Sequence, residues 1–129
     1  AGYYKYKAGD QFTEGGKPVN GKRDICDIYA IMYETSESVP TLDGTNAFTS
    51  PNLISTARIN NAKETNEWTY FKLPFTTLPG KFIDKEKLMD GKYNIAIVFT
   101  SSLEGDRFNG AIGSTLLIDE AELIYHSED

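Results

Sequence analysis

Residues 92–125 read KYNIAIVFTSSLEGDRFNGAIGSTLLIDEAELIY, and this stretch decides the fold. It opens with an apolar run from Tyr93 to Thr100. Tyr93, Ile95, Ile97 and Phe99 fall on one side of that run, Ala96 and Val98 on the other. Period-two alternation of β-branched and aromatic side chains is what a strand requires. A loop rich in Gly, Ser and Asp follows from Ser101 to Gly113, and a last strand runs from Thr115 to Tyr125. Its alternation breaks at Asp119-Glu120, which predicts a bulge or a strand that changes sheets.

The same grammar extends towards the N-terminus. Tyr3 to Lys7 reads as a strand ending at Ala8-Gly9-Asp10, and a polar loop from Glu14 to Arg23 carries Gly15-Gly16, Pro18 and Asn20-Gly21. Asp24 to Glu34 is apolar on both faces, so it is expected in the centre of a sheet. A longer loop from Thr35 to Thr45 leads through a short strand at Ala47 to Thr49 into a strand from Leu53 to Ile59. In Glu67 to Phe75, Thr69, Phe71, Leu73 and Phe75 share the core face, while Trp68, Tyr70 and Lys72 share the other. Pro74 confines the far end of that strand to an edge or a bulge. Helical period is confined to Ile83 to Met89, one or two turns stopped by Asp90-Gly91. About seven or eight strands predict an all-β, antiparallel two-sheet β-sandwich. A jelly roll fits the long polar loops best. An immunoglobulin-type sandwich fits less well, because its Cys…Trp…Cys spacing is absent.

A length of 129 residues predicts a single β-sandwich domain, residues 1–129, and the abrupt start at Ala1 inside a strand-like segment predicts a domain excised from a longer or processed protein. The formal charge of −6, with scattered Lys and Arg, argues against a nucleic-acid partner. No apolar run reaches the length of a membrane span. Cys26 is the only cysteine, so neither an intrachain disulfide nor a thiolate metal cluster is available, and its apolar neighbours Ile25 and Ile28 predict a buried thiol. The single histidine, His126, lies in the last few residues, which leaves no Ser-His-Asp set.

Three segments carry a family resemblance: GYYKYKAGDQF at residues 2–12, DICDIYAIMYE at residues 24–34, and the tail IAIVFTSSLEGDRFNGAIGSTLLIDEAELIY. Together they resemble the putative carbohydrate metabolism domain family of Bacteroidetes, which implies the C-terminal module of a longer secreted or surface protein. The resemblance implies a jelly-roll module similar to galactose-binding-like carbohydrate-binding modules, at the cell surface or outside the cell. It carries over no catalytic residue.

Trp68 and Tyr70 are the aromatic candidates. Sugar rings have a C–H face that stacks on flat aromatic rings, and Asn66, Glu67 and Lys72 stand ready as polar partners. The competing reading packs Trp68 under a loop or against another sheet. Tyr3, Tyr4 and Tyr6, interleaved with Lys5 and Lys7, form a second aromatic group that either lines a groove or serves as an ordinary strand. The loop residues Asp106, Arg107 and Asn109 offer hydroxyl-binding groups, against a surface Asp–Arg pair as the alternative. Asp119 and Glu120 interrupt an apolar strand, as acids of a structural calcium site do. Calcium takes about six to eight oxygens, however, and no EF-hand spacing is present. Otherwise no cofactor is expected.

The reading that follows is a noncatalytic carbohydrate-binding module whose partner is a polysaccharide or glycan, alongside other modules of a parent protein. One alternative is a small glycoside hydrolase using a carboxylate pair, for which Asp27 is the acid placed in apolar surroundings. The other is a structural or protein-binding accessory domain.

Overall fold

The computed structural model of the chain describes residues 1–36, 42 and 48–124, apart from the side chain of Asp106. Tyr125, His126 and Ala47 lie outside the described residues, but two expected strands need correction: Phe48 and Thr49 form a turn instead of a short strand, and the last strand stops at Asp119 instead of continuing towards Tyr125, because Glu120 takes a left-handed φ of 51°. In chain order the strands are β1 (Gly2–Lys7), β2 (Phe12–Glu14), β3 (Lys17–Pro18), β4 (Asp27–Glu34), β5 (Leu53–Arg58), β6 (Thr69–Phe71), β7 (Thr76–Thr77), β8 (Tyr93–Thr100), β9 (Gly110–Ala111) and β10 (Thr115–Asp119). One short helix, α1 (Lys85–Met89), precedes β8. The strand ladders whose registers are given are antiparallel, and the chain is all-β but for α1 and a 3-10 turn at Gly105–Arg107, consistent with an all-β sandwich. The ladders form three sheets, ordered β10-β1-β6, β3-β2-β9 and β7-β5-β4-β8. They do not by themselves establish a jelly-roll order.

The chain divides into two compact units. The first comprises residues 1–27, 59–73 and 99–129 and contains the β10-β1-β6 and β3-β2-β9 sheets. Strand β1 alternates as its sequence demands. Gly2, Tyr4 and Tyr6 are buried, while Tyr3 and Lys7 are exposed. Tyr4 meets Phe71 of β6 edge-on, with ring centroids 6.1 Å apart. Such edge-to-face contacts add to the burial of the rings themselves. Gly9, just past β1, is required by a close approach: a Cβ there would lie 2.1 Å from the carbonyl oxygen of Ile112.

The polar centre of this unit is Asp24, which is 4% exposed. Its Oδ2 accepts from Ser102 Oγ (2.5 Å), Ser114 Oγ (2.6 Å) and the Ala111 N–H (2.9 Å). Its Oδ1 accepts from the Ile25 N–H at 2.9 Å. Leu103 N–H donates to the carbonyl of Ile25, and the Tyr6 hydroxyl donates to the carbonyl of Ser101 at 2.7 Å. A buried carboxylate is tolerated only with such partners. Gly110 completes the arrangement, because a Cβ there would stand 2.8 Å from Ser102 Oγ.

The second unit comprises residues 28–58 and 74–98. Its core is Tyr29, Ile31, Tyr33, Leu42 and Leu53, with Leu78, Ala96 and Val98 packed against it. The central position expected for the Asp24–Glu34 segment is met by β4, which lies between β5 and β8. In β8 the smaller side chains, Ala96 and Val98, face this core. Ile95, Ile97 and Phe99 are 37%, 50% and 39% exposed. Helix α1 is as short as expected and is capped by Asp84, whose Oδ1 accepts from the N–H groups of Glu86 and Lys87. Lys87 pairs with Glu34 at 3.0 Å.

One expected core face needs correction. Phe71 is buried, but Leu73 is half-buried and Phe75 is 36% exposed. Strand β6 ends at Phe71. Pro74 has no N–H to continue a ladder, so the alternation that would have turned Phe75 inward stops before reaching it.

Two outcomes follow for the first unit. Asp24→Ala leaves the buried Ala111 N–H unpaired and takes the acceptor from two half-buried serine hydroxyls, and is expected to cost about 3 kcal/mol in denaturant unfolding. Stability should also fall in alkali. Burial pushes the Tyr6 phenol from 10.0 up to about 12 and the Cys26 thiol from 9.0 up to about 11. Both groups are neutral in either state below their ordinary values, where their contribution is complete. As pH rises towards 11 and 12, only the unfolded chain ionises, and the contribution is lost. Melting temperature measured from neutral pH to pH 12 checks this, and Cys26→Ala should remove the earlier part of the decline.

Candidate functional site

Strand β1 lies between β10 and β6, so the outward side chains of three strands form rows across one sheet face. Tyr3 is in register with Asp119 on one side and Tyr70 on the other. Lys5 is in register with Leu117, and Lys7 with Thr115. Trp68 immediately precedes β6, one residue before Thr69, which pairs with Tyr4; continuing that register places Trp68 beside Lys5. Tyr3, Trp68, Tyr70 and Leu117 are 36%, 43%, 54% and 49% exposed. Both aromatics expected on the outer face, Trp68 and Tyr70, are therefore at the surface.

The rings are held by their neighbours. Tyr3 and Tyr70 meet edge to face, with centroids 5.4 Å apart and planes at 60°. The Lys5 ammonium lies 4.9 Å from the centroid of the indole ring of Trp68. At an exposed site that contact is worth about 0.5–1 kcal/mol, enough to bias the indole's orientation without burying it. Lys7 and Lys72 are exposed at the margins of the face. Three aromatic rings with donors and one carboxylate around them offer stacking surface for the C–H face of a sugar, together with partners for its hydroxyls.

The loop candidates stand elsewhere. Asn109 adjoins β9, in the β3-β2-β9 sheet. Its Oδ1 accepts from the Gly15 N–H and its Nδ2 donates to Glu104 Oε2, both at 3.1 Å. Its amide thus closes the loop onto the hairpin turn at Gly15. Arg107 is exposed at the end of the 3-10 turn, and the side chain of Asp106 lies outside the described residues. Asp119 closes β10, its Oδ1 accepting from the N–H of Glu120, which adopts a left-handed φ of 51°. The expected break in the last strand falls there. Among the described residues no three His, Cys, Asp or Glu side chains gather as the ligands of an ion would. Asp119 and Glu120 alone offer two of the roughly six to eight oxygens calcium takes.

Tyr3 and Lys5 are the members of the face that the sequence did not single out as a pair with Trp68 and Tyr70. Half of the signal was available: once Tyr4 and Tyr6 turn inward, Tyr3, Lys5 and Lys7 must turn outward. The missing half was that β1 pairs with β6, a contact between segments more than sixty residues apart.

A family model described as "Putative carbohydrate metabolism domain" matches residues 1–124. Among solved structures, the chain resembles one described as a putative glycoside hydrolase from Bacteroides thetaiotaomicron VPI-5482, with 87% identity and a TM-score of 0.96. The match covers 98% of this chain and 37% of that one. A second, described as a putative glycoside hydrolase from Bacteroides vulgatus ATCC 8482, is 48% identical with a TM-score of 0.84, over 92% of this chain and 48% of that one. The chain thus spans less than half the length of either. No curated protein matches it. Among the described residues no helix is long and apolar enough to cross a membrane.

Exposure of the single tryptophan gives a direct check. Trp68→Ala should leave a cooperative unfolding transition and cost about 1–2 kcal/mol, since the half-covered indole loses some packing and a cation–π contact but far less than a core aromatic, whose loss costs about 3–5 kcal/mol. In the unmodified chain, acrylamide should quench the indole emission readily.

Proposed function

The chain belongs to the putative carbohydrate metabolism domain family, and on that premise we propose that it is a noncatalytic carbohydrate-binding module. Glycan lies on the outer face of the β10-β1-β6 sheet. Trp68, Tyr70 and Tyr3 stack on the sugar rings, while Lys5, Lys7 and Asp119 take hydroxyls. The observation that supports this reading is the cluster of exposed rings on two neighbouring strands, Tyr3 of β1 in register with Tyr70 of β6 and Trp68 just before β6, with Leu117 and Asp119 of β10 extending the same face. A sheet face holds its side chains at fixed spacing, so little order remains to be imposed on binding.

Affinity for a single chain is weak in this reading, because an open face buries little of the ligand. Attachment to further modules, in the extracellular or cell-surface setting that the family suggests, raises the effective concentration. Arg107 is left as an exposed loop position for a glycan branch, apart from the stacking face.

A hydrolase reading has one observation in its favour, the description given to the two longer Bacteroides proteins. It requires two carboxyl groups about 5 to 10 Å apart flanking the glycosidic bond, at least one of them reachable by substrate. Asp24 and Asp27 are 4% and 3% exposed, and Asp24 accepts four hydrogen bonds. Those properties suit structural acids better than catalytic ones.

Retention on polysaccharide in affinity electrophoresis tests the proposal. The unmodified chain should be slowed by at least one polysaccharide of a broad set. Trp68→Ala and Tyr70→Ala should each reduce that retardation about tenfold, in line with aromatic residues that anchor an interface. Release of reducing sugar by the chain alone would move the assignment to hydrolysis.

A further inference from the structure

We infer that the β10-β1-β6 face takes an anionic polysaccharide, its charge borne by carboxylate or sulfate groups on the sugar. This rests on the binding-face reading above and narrows its ligand class. The chain as a whole carries a formal charge of −6, which repels a polyanion at long range. The aromatic face has the opposite balance. Lys5 and Lys7 alternate with Tyr3 along β1, and Lys72 continues the outward alternation of Trp68 and Tyr70. On β10, Asp119 is the acid of the facing row.

These ammonium groups are also available. Lys5, Lys7 and Lys72 form no ion pair among the described residues, whereas Lys22, Lys87 and Arg23 are paired with Glu14, Glu34 and Glu64. Glu64, whose carboxyl is affected by Lys7, is already engaged by the fork of Arg23 (3.0 and 2.7 Å) and by the Ala8 N–H (2.9 Å). That arrangement, with burial slight, holds its carboxyl below the usual carboxylate range. Lys5 lies over Trp68 and is two residues from Tyr3 on the same side of β1, so its ammonium belongs to the same face as the Tyr3–Tyr70 pair. A neutral sugar gains only hydrogen bonds from such a group, while an acidic sugar gains charge-assisted ones.

Matched polymers separate charge from ring chemistry. Homogalacturonan is compared with its fully methyl-esterified form, and dextran sulfate with dextran, at about 20 mM and about 500 mM NaCl. Either charged polymer should be retained more strongly than its neutral counterpart, and the advantage should shrink in high salt as screening shortens to a few ångströms. Which charged polymer wins identifies carboxylate or sulfate. Replacing Lys5, Lys7 and Lys72 together by Gln should weaken retention on the charged polymer by about tenfold at low salt, a few-fold for each exposed pair, and so remove its advantage over the neutral counterpart. The triple Arg variant should keep the charged-polymer binding. Equal retention of charged and neutral partners, with the Gln variant unaffected, overturns the anionic assignment and leaves the stacking face standing. A charged polymer held as firmly by Trp68→Ala as by the unmodified chain overturns the face itself, and this inference with it.

Discussion

A single buried carboxylate organises the unit that bears the candidate site. Asp24 draws a hydrogen bond from each of Ser102, Ala111 and Ser114, and so joins the long segment before β10 to the chain entering β4. Ser114 is the residue before β10, and β10 is the strand that flanks β1 opposite β6. The position of one edge of the aromatic face therefore follows from where an acid finds its donors. In water those groups would be solvated at no cost. In the interior each must find the other, and the penalty for failing exceeds the net gain of a typical hydrogen bond.

The face itself relies on weaker forces. Its rings are partly exposed and its cation–π contact is modest, so stability gains little from Trp68, Tyr70 or Lys5. The exposure of these aromatics, in a chain that also seals Tyr4, Tyr6 and Phe71 inside, is what the proposed glycan face draws on. The charge arrangement is the second feature that proposal uses. Elsewhere in the described chain several basic side chains lie against carboxylates, while the lysines of this face do not.

Reading along the chain succeeded where one strand's own alternation carried the information. Trp68 and Tyr70 are exposed because Phe71 is inward, a relation settled within four consecutive residues. Cys26 is buried at 2% exposure, as its apolar neighbours foretold. Alternation misled where a local breaker intervened, as at Pro74 before Phe75. It was silent about which side of β8 faces the core: the larger set, Ile95, Ile97 and Phe99, stands outward, because Ala96 and Val98 fit against the bulky Tyr29, Ile31 and Tyr33. Packing space, not hydrophobicity alone, selected the face.

By itself the sequence determined the all-β class, the positions of most strands, the short helix and the outward direction of Trp68 and Tyr70. Each depends on near neighbours in the chain: backbone pleat, turn residues and side-chain parity act over a few residues at most. Only the tertiary structure decided that β1 runs between β10 and β6, that Tyr3 and Lys5 join the two aromatics, and that Asn109 closes a loop in another sheet. Strand partners are chosen by the match of whole surfaces across long stretches of chain, and no short window of residues contains that match.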